Sequence, residues 1–220
     1  MIDIVEGWPE KDKALFISSF KRLQLSMIAR IDDTSKLLAE DLKPNTQFRD
    51  FALLAQMCWS KNVLDERDAP DQILLGAMDR RYCTLIGLYC HLETWIESGD
   101  GTNTRFVYGQ NGVDDPNRTK DNVAKFLRDN VFGSPDFAMV KPGLLGSHST
   151  RKYGASKARR NGCSRDDTES RGRWKKRRRM VDGYIDVSLP YPDAKVCAAL
   201  CRGGPCKYAL KTGSGLSRAW

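Results

Sequence analysis

Four residues with side chains suited to phosphate chemistry lie in one segment of the sequence. They are His148, Arg151, Trp174 and Tyr184. His148 and Arg151 are three residues apart, so on a helix they project from the same face and can approach one phosphate group. An H-x-x-R match alone is weak, but the Trp 23 residues after Arg151 and the Tyr ten residues beyond that Trp make the arrangement far rarer by chance. The spacing therefore favours a shared site.

This arrangement resembles the catalytic domain of the tyrosine recombinase, or phage integrase, family. In that family an H-x-x-R motif is followed by a His or Trp and then by a nucleophilic Tyr. The resemblance also implies an early Arg, an acidic residue three positions later, an Asp-hydrophobic pair at the end of the same helix, and a Lys on a β-hairpin. The sequence supplies Arg30, Asp33, Asp41-Leu42 and Lys61 in that order. The match extends from Arg30 to Tyr184. Over this range the sequence resembles the recombinases of eukaryotic mobile elements.

The resemblance implies a phosphate clamp. Breaking a phosphodiester by in-line attack builds negative charge on the non-bridging oxygens, and guanidinium groups donate to such oxygens in a fixed fork. Arg30 and Arg151 would form this clamp, and Trp174 would add one N–H donor. Asp33 would support the cations of the site. The resemblance implies no metal and no cofactor.

The remaining residues would handle the covalent step and its protons. Tyr184 would supply the attacking phenolate and hold the DNA as a 3′-phosphotyrosine, which stores the bond energy for rejoining. Lys61, on the hairpin, would protonate the departing 5′ oxygen as general acid. His148 would transfer a proton near the nucleophile.

Each residue also has a purely structural interpretation. Arg30 is compatible with a surface charge at a helix end, Asp33 with an acid at a helix N-terminus, and Lys61 with a solvated hairpin lysine. Trp174 and Tyr184 are compatible with core aromatic residues. The order and spacing of all seven residues together favour the recombinase interpretation.

The periodicity of apolar residues predicts a mainly helical chain. We expect helices over 11–29, 33–42, 81–98 and 119–131, strands over 48–59 and 72–76, a long loop over 99–118, and short helical pieces after 147. The two strands would form a hairpin. The predicted fold class is α+β, mainly α, with helices packed around a small antiparallel sheet, as in the catalytic domain of the recombinases.

The domain prediction is a catalytic domain over 1–189 and a tail over 190–220. Only 29 residues precede Arg30, too few for the separate DNA-clasping domain that family members normally carry. Within the tail, 193–201 is apolar on one side and is a candidate helix for docking on a neighbouring subunit, with Pro190 and Pro192 as its hinge. The final residues, TGSGLSRAW, are rich in Gly and Ser and are predicted to be mobile.

The charge of the chain is unevenly distributed. The net charge is +8, yet residues 141–220 carry +13 and residues 1–140 carry −5. A basic region of this density suits a polyanion such as nucleic acid, and a solvated basic face is the alternative. The basic run KKRRR, Lys175–Arg179, fits a DNA phosphate contact, a nuclear localisation signal or a solvated face equally well.

Composition excludes several classes of protein. Hydrophobic residues make up 40% and charged residues 29%, which is ordinary for a globular chain. No apolar run is long enough to cross a bilayer, and the N-terminus lacks a signal peptide, so the expected location is intracellular, and nuclear in a eukaryote. Of seven cysteines, only Cys197, Cys201 and Cys206 cluster, and a zinc site there is disfavoured because no fourth ligand lies nearby. Without a secretory signal we expect reduced thiols.

The leading functional hypothesis is a DNA breaking and rejoining enzyme for site-specific recombination or integration. Its partner would be double-stranded DNA, and the resemblance implies a homo-tetramer on that DNA. The alternative is a catalytically inactive DNA-binding remnant of a mobile element.

Overall fold

The computed structural model describes residues 2, 5, 10–45, 52–58, 69–97, 104–109, 115–137, 145–146, 148–174 and 191–206, without the side chains of Tyr191 and Pro192. Lys61, Tyr184, Pro190 and the basic run Lys175–Arg179 lie outside the described residues. The same holds for the final residues 207–220.

The described residues form seven α-helices and three β-strands. In chain order these are α1 (Lys11–Ser26), α2 (Ile31–Ser35), β1 (Leu42–Pro44), β2 (Ala52–Gln56), β3 (Asp71–Leu75), α3 (Thr84–Glu97), α4 (Pro116–Phe126), α5 (Ser149–Arg160), α6 (Arg165–Arg171) and α7 (Tyr191–Leu200). The coarse fold prediction, a mainly helical α+β chain with a small antiparallel sheet, is confirmed.

The sheet is antiparallel, in the order β1-β2-β3. Leu53 of β2 pairs with Leu74 of β3, and Leu54 of β2 pairs with Lys43 of β1. The predicted hairpin is therefore present, with a third strand added at its edge.

Helix α1 forms the centre of the largest core. Phe20, Leu23 and Met27 are fully buried, and burial of a side chain of this size contributes about 2 kcal/mol. Tyr108 packs edge-on against Phe20, with ring centroids 5.0 Å apart, and stacks on His91 of α3 at 4.7 Å. These contacts fix the C-terminal end of α1, from which the candidate site begins.

The prediction of a helix over 33–42 is wrong beyond its first residues. Helix α2 ends at Ser35, a short 3-10 turn covers Ala39–Asp41, and β1 follows. The reason is pairing with a distant segment: the N–H of Val107 donates to the carbonyl of Leu37, and the N–H of Ala39 donates to the carbonyl of Arg105. These bonds use backbone groups that a continuous helix would need for itself.

Two other helices begin or end away from their predicted limits. Helix α3 is preceded by a 3-10 turn at Arg80–Tyr82, since the Asp79 carboxylate accepts from the N–H of Arg81. Helix α4 begins at Pro116, where Asp115 caps the N–H of Asn117, and it continues as a π-helical turn over Leu127–Val131. Pro suits the first turn of a helix because its missing N–H would be unpaired there.

The predicted C-terminal helix is present as α7, and it packs within its own chain. Ala194, Val196 and Cys197 are buried, and α7 contacts β3, α5 and α6. Docking of this helix on a neighbouring subunit stays a prediction. Among the described residues, no helix is both long enough and apolar enough to span a bilayer.

Candidate functional site

The site begins at the turn that follows α1. Ile28 has a φ of +47°, a left-handed conformation that is strained for a β-branched residue. The turn is held by hydrogen bonds in both directions: the N–H of Ala29 donates to the carbonyl of Gln24 at 2.9 Å, and the Gln24 amide donates back to the carbonyl of Ala29 at 3.4 Å. The chain therefore leaves α1 in a fixed direction and delivers Arg30 to the site.

Arg30 and Asp33 are joined at the start of α2. The carboxylate of Asp33 accepts from the backbone N–H of Arg30 at 3.2 Å, the role of an acidic residue at the third position of a helix. The carbonyl of Arg30 accepts from the hydroxyl of Thr34 at 3.0 Å. The Arg30 backbone is thus fixed from both sides, while Nη1 of its side chain is buried and has no hydrogen-bond partner among the described residues.

Arg151 reaches this turn from the first turn of α5. Its Nη1 donates to the carbonyl of Ile28 at 2.8 Å and lies 3.9 Å from Oδ2 of Asp33. The close approach of α5 to α1 depends on Gly154, because a Cβ at that position would lie 3.3 Å from the carbonyl oxygen of Leu25. The predicted pair Arg30 and Arg151 therefore does converge, around Asp33.

A third guanidinium, from Arg173, completes the cluster. Arg173 has a φ of +53°, and its Nη2 donates to Oδ2 of Asp33 at 3.2 Å. Its Nη1 donates to the side-chain oxygen of Gln72 on β3. We call Arg30, Asp33, Arg151 and Arg173 the arginine cluster.

The arginine cluster contains more positive than negative charge. It holds three guanidinium groups and one carboxylate, of which Arg151 and Arg173 contact that carboxylate, so the formal charge is +2. Burial, with the nearby charges of Arg173 and Arg30, lowers the pKa of Arg151 to about 10, and Asp33 only partly offsets this effect. Burial also lowers the pKa of Arg173. Arg151 remains cationic at neutral pH, and because guanidinium groups stay protonated in proteins, the site is electrostatically suited to an anion.

Trp174 covers the cluster. The guanidinium carbon of Arg151 lies 4.2 Å from the centroid of the indole ring, a cation-π contact. Nη2 of Arg151 donates to the carbonyl of Gly172, and a Cβ at Gly172 would lie 1.9 Å from Cζ3 of Trp174. Only glycine at residue 172 leaves room for the ring in this position. Donation from the indole N–H to a bound phosphate stays a prediction.

Arg171 fixes the segment that carries Arg173 and Trp174. The Arg171 side chain is buried, and its Nε and Nη2 donate to the carbonyl of Ser26 at 3.0 and 2.9 Å. Nη2 also donates to the carbonyl of Ile73 at 2.9 Å, and Nη1 pairs with Asp193 of α7. Burial alone would lower the pKa of Arg171, but the charge and hydrogen bond of Asp193 together with the nearby thiols of Cys197 and Cys201 raise the pKa. Arg171 therefore ties together α1, β3 and α7 beneath the cluster.

The other predicted site residues are His148, Lys61 and Tyr184. His148 is exposed immediately before α5, one turn ahead of the buried Arg151. Lys61 and Tyr184 fall outside the described residues, so their assignment stays a prediction.

Sequence reasoning missed four residues that build the site. They are Gln72, Arg171, Arg173 and Asp193. A partial signal existed for the helix before Arg173, since Ser164 and Asp167 form a capping box and Gly172 follows the last turn. Nothing in the local sequence indicates that Arg171 and Arg173 turn inward.

Comparison with known proteins adds no relative: no protein-family model, curated protein or solved structure matches the chain. Among the described residues, no group of three or more His, Cys, Asp and Glu side chains is arranged to hold a metal ion. The chemistry of the arginine cluster and the sequence motif therefore provide the support for a function.

Proposed function

We propose that this protein breaks and rejoins DNA strands as the catalytic domain of a tyrosine recombinase or integrase, through a covalent 3′-phosphotyrosine at Tyr184. The observation that carries the proposal is the buried Nη1 of Arg30, which has no hydrogen-bond partner among the described residues and lies in a cluster with Arg151 whose formal charge is +2. An unpaired buried donor is costly, so its presence points to a ligand that pairs with it.

The charge balance suits the reaction. A phosphodiester has one negative charge, and attack by a phenolate adds a second as the five-coordinate phosphorus forms. A fixed +2 site stabilises that doubly charged state more than the singly charged ground state, which is the requirement for catalysis. Asp33 and Trp174 hold the guanidinium groups in place, so little reorganisation is needed during the reaction.

The proposed step balances without a further reactant. Tyr184 gives its phenolic proton to His148, and its oxygen forms a bond to phosphorus as the bond to the 5′ oxygen breaks. Lys61 gives a proton to the departing oxygen, and the reverse reaction rejoins the strand. His148 assists proton transfer at the exposed start of α5. Double-stranded DNA is the proposed partner, and a homo-tetramer is the proposed assembly on it.

A suicide DNA substrate, nicked so that the cleaved end diffuses away, tests the proposal. Wild-type protein should become covalently attached to the DNA, and Tyr184→Phe should lose this attachment while still binding DNA. Tyr153→Phe, at an exposed tyrosine on α5, is the matched control and should retain attachment. Covalent attachment by Tyr184→Phe would refute the assignment of the nucleophile.

The alternative function is DNA binding without cleavage, and one observation favours it. Two Arg151 nitrogens donate to the carbonyls of Ile28 and Gly172, so part of its donor capacity serves the fold. Under this alternative the wild-type protein binds DNA and never becomes attached to the suicide substrate. The test for covalent attachment to the suicide substrate therefore distinguishes the two functions.

A further inference from the structure

A cavity of about 610 Å³ opens between α1, α5 and α7, within the size range of small-molecule sites. Its lining includes side chains that the proposed DNA chemistry does not use. Helix α1 contributes Lys21 and Leu25, α5 contributes Thr150 and Lys157, and α7 contributes Leu200.

The described lining has four basic side chains, and it also includes the Cys197 thiol, whose pKa is lowered to about 6 by its hydrogen bond with Cys201. Lys21, Arg22, Lys157 and Arg202 line the cavity, and no Asp or Glu appears among its described lining residues. The positive charge of Arg202 is balanced by Asp79, which does not line the cavity and lies 3.4 Å from the Arg202 Nε. An anion that enters would therefore meet positive charge without competition from a lining carboxylate.

The two lysines are held by neutral oxygens. Nζ of Lys21 donates to the side-chain oxygen of Gln24, and Nζ of Lys157 donates to the carbonyl of Leu200 at 3.0 Å. Lys21 is almost completely buried, and burial lowers its pKa to about 7. A bound anion would compensate for this burial by restoring a charged partner.

Thr150 provides a polar group of its own. Its side chain is only 7% exposed, and Oγ1 has no hydrogen-bond partner in the described part of the chain. Thr150 lies in the first turn of α5, a 12-residue helix whose N-terminal end is the positive end of its dipole. A hydroxyl donor at that end suits the oxygen of an anionic group.

Apolar side chains form another part of the lining. Leu25, Phe137, Leu145 and Leu200 line the cavity together with Ile2. A free inorganic anion would leave this surface in contact with water, whereas an apolar body attached to the anion would cover it.

We propose that this cavity binds a small amphiphilic anion, with its negatively charged head group among Lys21, Lys157 and Thr150 and its apolar body against Leu25, Phe137 and Leu200. The binding site is separate from the arginine cluster, and the proposal does not depend on DNA cleavage. Positive charge, the Thr150 hydroxyl and apolar side chains occur together in this one cavity. This combination favours an amphiphilic anion over a cation, a neutral lipid or a bare phosphate.

Isothermal titration calorimetry of the full chain tests the proposal, with decyl phosphate as the probe below its micelle concentration. We expect decyl phosphate to bind with 1:1 stoichiometry. Decyltrimethylammonium lacks the anionic head group and inorganic phosphate lacks the apolar body, so each should bind about tenfold more weakly or worse. Equal affinity for the cationic amphiphile or for inorganic phosphate would overturn the proposed ligand class. Failure of decyl phosphate to bind would overturn the site.

Variants of the two lining lysines test whether decyl phosphate binds in this cavity. Lys21→Met and Lys157→Met each remove one head-group partner and should raise the Kd for decyl phosphate by about tenfold or more. Lys152→Met is the matched control, because Lys152 is exposed on α5 and does not line the cavity. Unchanged affinity in both cavity variants would show that the anion binds elsewhere.

A measurement on the wild-type protein covers the case in which a variant does not fold. The methyl resonances of Leu25 and Leu200 should shift on addition of decyl phosphate, and those of Leu92 on α3, which does not line the cavity, should not. Shifts confined to residues outside the cavity would contradict the proposal.

Discussion

At the scale of single residues, Asp33 concentrates its interactions on one atom. Its Oδ2 accepts from the Arg30 N–H and from Arg173, and Arg151 lies 3.9 Å away, while Oδ1 is buried without a partner in the described part of the chain. A single carboxylate thus fixes the Arg30 backbone and contacts the guanidinium groups of Arg151 and Arg173 without neutralising the cluster. This arrangement preserves the positive charge that a phosphate would need.

Gly172 is a position where one added methyl group should disturb the site. We expect Gly172→Ala to destabilise the protein by about 2 kcal/mol, because its Cβ would overlap the ring of Trp174. Urea unfolding measures the change. Gly133→Ala is the control, since a Cβ there meets nothing within 4 Å, and equal losses in the two variants would contradict the explanation.

Lys21 should make stability depend on pH. Its pKa is lowered from 10.5 to about 7 in the native state by burial, so between pH 7 and pH 9 the unfolded chain binds a proton that the native state has released. Stability contributed by this group therefore increases with pH, by about 2 kcal/mol over that interval.

The comparison with Lys21→Met isolates this effect. Urea unfolding of both proteins at pH 7 and pH 9 should show the increase in the wild type and its loss in the variant. Lys152→Met, at an exposed lysine, should retain the wild-type increase. The same increase in Lys21→Met would show that other groups cause it.

At the scale of secondary-structure elements, the Arg171–Asp193 pair joins α6 to α7 beneath the site. We expect Asp193→Ala to destabilise the protein by about 3 kcal/mol, because the buried Arg171 then loses its ion-pair partner. Asp121→Ala, at an exposed position on α4, should cost much less.

A double variant identifies the cause of that loss. Arg171→Met combined with Asp193→Ala removes both charges, so its destabilisation should be smaller than the sum of the single variants. Additive losses, measured by urea unfolding, would mean that the pair does not interact.

The elements differ in how far the sequence could predict them. Arg30 and Asp33 are three residues apart and form a local cap, and Arg151 lies in the first turn of a helix that the H-x-x-R spacing anticipated. By contrast, Arg171 bonds to Ser26, 145 residues away, and Arg173 bonds to Asp33, 140 residues away. Likewise, the chain leaves the predicted helix after Ser35 because Leu37 and Ala39 pair with the distant residues Val107 and Arg105. Such contacts leave no periodic signal in the sequence.

At the scale of the whole molecule, the proposed DNA binding should depend strongly on salt. If the run Lys175–Arg179 contacts DNA phosphates, changing it to five glutamines should reduce the slope of log K against log salt concentration by about 4. Fluorescence anisotropy with labelled duplex DNA measures the slope.

A control variant tests whether total charge alone explains the change. It carries glutamine at five basic residues from the acidic part of the chain and should alter the slope much less; these residues are Lys11, Lys43, Arg118, Lys120 and Arg128. An unchanged slope in the Lys175–Arg179 variant would exclude this run as a phosphate contact.

The long reach of Arg171 has a consequence for synthesis on the ribosome. Ser26 and Ile73 leave the ribosome early, Arg171 much later, and Asp193 after that. In the folded protein, Ser26, Ile73 and Asp193 all contact the Arg171 guanidinium. A nascent chain that has not yet released Asp193 would have to bury Arg171 without a counterion, which is unfavourable. The arginine cluster is therefore expected to assemble only when translation has passed α7, so partly synthesised chains would not expose a finished phosphate site to nucleic acid.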